Sequence, residues 1–485
     1  MDADLVAAWE QLCQELAPAF RARTYVTFLH VVTAWALCRS RPAVTGLVLT
    51  VGRRLLGHAA KHWTSYERFF HKSAWSLDEL SRLLLVRVVV PLVDRFGVGE
   101  EGAALEVGFD DTTCGRFREH VAFAGYFKDA SASNVAGKVC HRAHNWVIGC
   151  VHFRCRLWPR WVIGLPVQFG LYRKEADCDG KGKKNEKDRN DRRDKNDKKG
   201  GRPFRTRHQI AAGMLRQMRE ALPGRRLEVA VDGQYATSVL CSELKPQRGE
   251  SLVSRVRRDA ALHALPPTRR APGRRGPLPL KGERLPAPPV MAARRKRGWK
   301  QVEVLAYGKR VKKQVLPLVC LWTAVRGYDP IKLLVVRDPE GVQADDFFFC
   351  TDPSEPDERV VERVAARWPV EEAVRDAKQH GGMEKVQGWC PRTVERQAPM
   401  AMVVQTLVKA WFVRHVATRG AAAFRPGSPA SCPWLREKKS HPSYLDMLAC
   451  LRRALWKDRI PPDSALSGKT RGIMKVLRFT LCGAT

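Results

Sequence analysis

The chain has 485 residues, 44% of them apolar, and its 85 Lys and Arg exceed its 50 Asp and Glu by 35. That content excludes a disordered or fibrous chain and suits about two to four domains, while so large a positive excess points to a polyanionic partner, nucleic acid first. No charge-free run of about 18 apolar residues exists, which excludes a simple membrane-spanning helix.

In chain order, the opening MDADLVAAWEQ carries no signal-peptide pattern, and residues 4–97 read as helical. Leu5, Val6, Trp9, Leu12, Leu16 and Phe20 recur at helical spacing, and LLLVRVVVPLV at 83–93 reads as a buried helix. The aromatic, basic stretch HWTSYERFFHKSAWSL at 62–77 reads as core that leaves room for DNA contact. A helical N-terminal domain over 1–97, open to DNA contact, is therefore expected. At 105 the period changes: LEVGFDD alternates and delivers Asp110 and Asp111 at a strand's C-terminal end. Two further strand-like stretches, 145–158 and 161–172, are close enough in sequence to pair antiparallel. Residues 174–202 are almost wholly charged or polar and read as a disordered loop. A helix over 205–224 precedes LEVAVDGQYA at 227–236, a second strand ending in a carboxylate, Asp232.

Residues 245–340 read as a mainly β insertion whose Pro- and Arg-rich run, 266–297, has no periodicity and should be extended. Strands are expected at 301–311, 315–325, 331–338 and 345–352. The segment VERVAARWPVEEAVRDAKQHGG, 361–382, reads as a helix bearing Glu371, with Arg367 four positions before it and Lys378 seven after. Pro369 either opens that helix or kinks it. Two apolar helices, 399–420 and 443–456, and a basic tail complete a helical C-terminal region over 401–485, leaving 98–400 as the central domain. The 14 Cys show no framework spacing and read as reduced, in a cytoplasmic protein.

Three acidic positions thus stand at element ends: Asp110 or Asp111, Asp232 and Glu371. Oxygen ligands without a neighbouring His or Cys suit Mg²⁺ or Mn²⁺, and two such ions about 4 Å apart activate a nucleophile and stabilise the leaving oxygen of a phosphodiester. Arg367 and Lys378 would hold phosphate beside them. Leu105, Val107 and Phe109 share a strand face with Asp111, so Asp110 points the other way and is the preferred ligand. A zinc site from Cys140, His141, His144, Cys150, His152 and Cys155 fits no finger or ribbon spacing. A non-catalytic DNA-binding protein and a repair nuclease are the competing function classes.

The motifs FDDTT at 109–113, VDGQYA at 231–236 and RWPVEEAVRDAKQHGG at 367–382, with LVSRVRRDAALH after the second Asp, resemble the DDE-type insertion-sequence transposases of bacteria, in the cut-and-paste branch with a Tyr-Arg-Glu-Lys signature. The resemblance covers roughly 60–400. It implies an α/β, ribonuclease-H-like mixed sheet flanked by helices, with a mainly β insertion between the second Asp and the Glu. It also implies Asp232 and Glu371 as metal ligands, Arg367 and Lys378 as phosphate contacts, and a homodimer acting on paired transposon ends of double-stranded DNA. Val364 stands where the signature Tyr should fall.

Overall fold

The computed structural model describes residues 2–128, 137, 139–178, 203–269, 275–419 and 441–457. Most of the charged loop expected over 174–202, and the whole basic C-terminal tail, lie outside the described residues. The loop's first residues do not: Glu175–Asp177 form a short 3-10 turn.

Six helices open the chain: α1 (Asp2–Gln14), α2 (Ala22–Leu37), α3 (Val44–Val51), α4 (Trp63–His71), α5 (Leu77–Leu83) and α6 (Val90–Phe96). A two-residue hairpin, β1 (Arg54–Leu55) with β2 (His58–Ala59), separates α3 from α4. Ser76 caps α5 through the Glu79 N–H, and Glu79 pairs with Arg82. The aromatic stretch at 62–77 is divided: Tyr66, Phe69, Phe70 and Trp75 are buried, while Trp63 is half exposed.

The strands follow as β3 (Leu105–Gly115), β4 (Gly125–Lys128), β5 (Cys140–Arg154) and β6 (Val162–Tyr172). After α7 (Arg207–Ala221) come β7 (Leu227–Val231), α8 (Ser238–Glu243) and β8 (Ser251–Arg255). In space, β4 and β6 share the outer edge of β5, and the sheet continues β5-β3-β7-β8. β3, β7 and β8 are parallel, whereas β5 and β6 run antiparallel to their neighbours. Helix α7 covers one face, with Ile210 seated over Gly170, and helices later in the chain cover the other. This is the ribonuclease-H-like arrangement, a mixed sheet flanked by helices.

The insertion extends that sheet. Strands β9 (Lys300–Ala306), β10 (Lys309–Leu321), β11 (Pro330–Arg337) and β12 (Asp346–Cys350) add in the order β8-β12-β11-β10-β9, all antiparallel. The strand expected over 301–311 is broken, because Tyr307 (φ 51°) and Gly308 (φ 79°) make a two-residue hairpin turn. The strand expected to reach 325 ends at Leu321, and Thr323–Arg326 form the short helix α10. The Pro- and Arg-rich run is not wholly extended either. Residues 288–294 form helix α9, since two prolines fix φ in its first turn and Met291 and Ala292 find core to enter.

The helix expected over 361–382 is two: α11 (Asp357–Ala365) and α12 (Pro369–Gln379). Pro369 has no N–H to return, so the chain opens a new helix there rather than kinking an old one. Helix α13 (Pro391–Trp411) starts well before the expected 399, with Pro399 inside it, and α14 (Tyr444–Lys457) closes the described chain. One apolar core runs from α1 through the sheet to α13 and α14. Among the described residues no helix is long and apolar enough to cross a membrane.

Candidate active site

Register decides what stands at the strand tips. β3 and β7 pair parallel with Glu106 against Glu228 and Phe109 against Val231. The pairing ends there with β7: Asp110 follows on β3, on the same face as Glu106, at the level where Asp232 begins the turn after β7. Asp111 points to the opposite face. The turn after β7 closes through the Tyr235 N–H to the Asp232 carbonyl at 2.9 Å and leads into α8, which Thr237 caps.

Helix α12 is laid over the Asp110 face. Its Pro369 carbonyl comes so close to β6 that a Cβ on Gly164 would lie 2.3 Å away, so only glycine admits this approach. Arg367, in the turn between α11 and α12, then reaches both acids: Nη2 lies 2.5 Å from Glu371 Oε1, and Nη1 lies 3.6 Å from Asp110 Oδ2. Its Nη1 is buried and makes no hydrogen bond. Burial first, with the negative charges of Asp111 and Glu371 adding to it, pushes the Asp110 carboxyl up to about 7 against the opposing Asp111 N–H and Arg367.

Lys378 shares the helix with Glu371 but does not meet it. Its Nζ donates to the Thr113 carbonyl at 2.6 Å and lies 3.4 Å from Glu384 Oε1, at the far end of β3. Asp111 is fully engaged on the other face. Its Oδ2 accepts from Asn145 Nδ2 and from Arg207 Nη1, each at 2.7 Å, and its Oδ1 accepts from the Tyr235 hydroxyl at 3.0 Å. Those three partners were not singled out in the sequence, although Tyr235 lies inside the second motif. His152 binds none of these groups. It is buried beneath Gly108, neither ring nitrogen has a partner, and burial holds its pKa down at about 3. His144 is held between the Arg116 Nε–H on Nδ1 and the Ala122 carbonyl at Nε2.

Four residues below Asp110 along β3, on the same face and past the Gly108–Ala230 pair, a second charged group gathers around the buried Glu228. Glu228 accepts from Arg226 and Arg359 at 2.8 and 2.6 Å. Arg363 donates from its terminal nitrogens to Ser251, Glu355 and the Val229 carbonyl.

The donor set at the strand tips suits a hard divalent cation. Its groups are carboxylate oxygens, the Asp110 charge is opposed by its neighbours, and a cationic guanidinium already spans Asp110 and Glu371. As the side chains stand, no group of three His, Cys, Asp or Glu among the described residues is gathered closely enough to hold an ion.

A family model for the DDE superfamily endonucleases matches residues 15–314, and the chain belongs to that family. No curated protein matches the chain. Membership brings a nuclease or transposase-type activity on DNA, and endonucleases of this superfamily generally use divalent metal ions. The match begins upstream of the expected 60 and ends before α12, so Glu371 enters the site on geometry alone.

Proposed function

We propose that the chain is a DNA transposase, which binds the terminal repeats of a transposon, cuts the phosphodiester there and joins the freed strand to target DNA. The observation that carries this reading is the convergence of Asp110, Glu371 and Arg367 beside the turn bearing Asp232, at the C-terminal end of parallel strands. Asp110, Asp232 and Glu371 are the residues that would hold Mg²⁺ or Mn²⁺, two ions by the chemistry of the reaction. When bound, such ions lower the pKa of the attacking hydroxyl and stabilise the leaving oxygen.

The chain's own residues do the rest. Arg367 exchanges its carboxylate partners for a phosphate, which its planar fork can grip in two places. Lys378, a quarter exposed and poised at the end of β3, meets the backbone on the other side of the site. Val364 packs against the smaller core cluster beneath the insertion strands, so a phosphate contact of the kind the signature Tyr makes has to come from elsewhere in this chain. The helices before residue 97 and those after 401 serve as flanking domains that meet DNA and a second copy in a paired-end homodimer.

The test is incubation of the purified chain and Mg²⁺ with a labelled duplex carrying the terminal inverted repeat that flanks its gene. Cleavage at the repeat's end, followed by joining to a second duplex, is expected. Cutting indifferent to the repeat makes the chain a nuclease of another role, and no cutting in Mg²⁺ or Mn²⁺ makes it a DNA-binding protein.

A further inference from the structure

Asp111 stands next to Asp110, yet the molecule treats it differently. Its carboxylate, 13% exposed, collects three donors from three separate places: Asn145 on β5, Arg207 at the first turn of α7, and Tyr235 in the turn after β7. Tyr235 is buried, and its ring meets His208 edge-on at 5.4 Å, so the hydroxyl has little freedom to leave. Three residues before Tyr235 lies Asp232. Among the described residues no hydrogen bond or ion pair holds the Asp232 carboxylate itself. Its place is inherited from the backbone turn, and that turn is tied at one end to β7 and at the other to Asp111 through Tyr235.

Resting on the proposed metal site, we infer that Asp111 is a positioning residue: through Tyr235 it fixes the Asp232 turn against the tip of β3, setting the spacing of Asp110 and Asp232. Asp111 is not itself a ligand on this account. It lies on the opposite face of the strand, and both of its oxygens are committed to N–H and O–H donors. The arrangement resembles the outer partners that orient ligands at metal sites generally, whose loss costs roughly 10- to 100-fold in metal affinity or activity.

The test uses Tyr235→Phe, Asp111→Asn and the double variant in the full chain. Binding of Mn²⁺ is read by electron paramagnetic resonance, and the Mg²⁺ concentration giving half-maximal cleavage is measured in parallel. Tyr235→Phe removes one oxygen from a packed ring and is expected to leave the melting temperature nearly unchanged. Each single variant should weaken Mn²⁺ binding, and raise the Mg²⁺ requirement, by roughly 10-fold or more. The double variant should be no worse than the weaker single, because both remove one coupling. Two results overturn the inference: a Tyr235→Phe protein with wild-type Mn²⁺ affinity, or an Asp111→Asn protein that loses Mn²⁺ altogether while Tyr235→Phe keeps it, which makes Asp111 a ligand. Asp232→Asn separates this from failure of the site itself. If it leaves Mn²⁺ binding intact, the metal site is wrong and the inference falls with it. If it abolishes binding while Tyr235→Phe changes nothing, the inference alone falls.

Discussion

Two pairs of acids follow β3 and β7, separated by one residue pair: Glu106 faces Glu228 within the ladder, and Asp110 follows on the same face of β3 where β7 ends and Asp232 begins its turn. Each level has its arginine from the α11–α12 segment, Arg363 for the inner and Arg367 for the outer. The inner arginine is almost wholly buried: its terminal nitrogens make four hydrogen bonds, while its Nε makes none and lies 3.8 Å from Glu228 Oε2. The outer one makes a single hydrogen bond to a carboxylate and leaves a buried nitrogen without one. The same two residue types therefore give a sealed structural tie at one level and an exchangeable contact at the next. A buried arginine is held by the number of bonds it commits, four for Arg363 against one for Arg367, and the less committed one marks the level where another cation or anion can enter.

The largest expected effect tests the outer level. Asp110→Asn, Asp232→Asn and Glu371→Gln keep shape but lose charge, and each should cut strand cleavage by about a thousandfold or more while DNA binding persists. A gel-based cleavage assay beside a binding assay checks this, and near-normal cutting by Glu371→Gln would remove α12 from the site.

Next comes the inner level. Arg363→Met leaves Glu355 and Ser251 without their buried partner, and should lower unfolding free energy by about 3–5 kcal/mol in urea. A loss below about 1 kcal/mol would erase the contrast between the two levels. Arg367→Ala should behave in the opposite sense. Removing the guanidinium from between two carboxylates should tighten Mn²⁺ binding by the DNA-free protein about tenfold, while impairing cleavage through lost phosphate contact. Weaker Mn²⁺ binding in that variant would mean that Arg367 supports the site rather than occupying it.

The smallest effect is in pH and sharpens the comparison from between the levels, where His152 lies. Burial holds the pKa values of His30 and His144 at about 4 and that of His152 at about 3, all below the usual 6.5. The unfolded chain takes up protons that the folded chain refuses, so stability should be level above about 6.5 and fall as pH drops toward 4. Melting curves between those values check it, and His152→Gln should flatten part of the slope.

Much of this was legible in the sequence. The alternation of LEVGFDD and LEVAVDG marks both strands and puts Asp110 and Asp111 on opposite faces; β7 does end just before Asp232, but β3 runs on to Gly115, paired with β5, so its two acids stand mid-strand rather than at its end. What a sequence does not carry is how distant segments meet. Arg207 and Tyr235 reach Asp111 across 96 and 124 positions, a closeness that depends on how α7 and the β7 turn pack. Helical spacing put Arg367 near Glu371 but gave no sign that it would bridge to Asp110, because that contact depends on the Gly164 approach. Local chemistry also misled where propensity was overruled: Tyr307 looks like a strand residue, but the hairpin needs a turn there, and α9 forms in a run that composition reads as extended.

The continuous sheet has a consequence for how this chain could be cut down or rearranged. β8 is the last strand of the central fold, and its outer edge is filled by β12, with Val253 facing Cys350 and Ser254 facing Phe349. The insertion is thus no detachable module hung on a loop. Excising it would bare a row of peptide groups on a short, largely buried strand, an invitation to intermolecular pairing. The margin is moved instead to β9, where Lys300, Gln301 and Glu303 are exposed, Val302 and Val304 are buried, and the Leu305 N–H is taken by Glu362 of α11. Charged side chains at that rim discourage sheet-to-sheet growth, so the insertion also serves as the molecule's guard against aggregation.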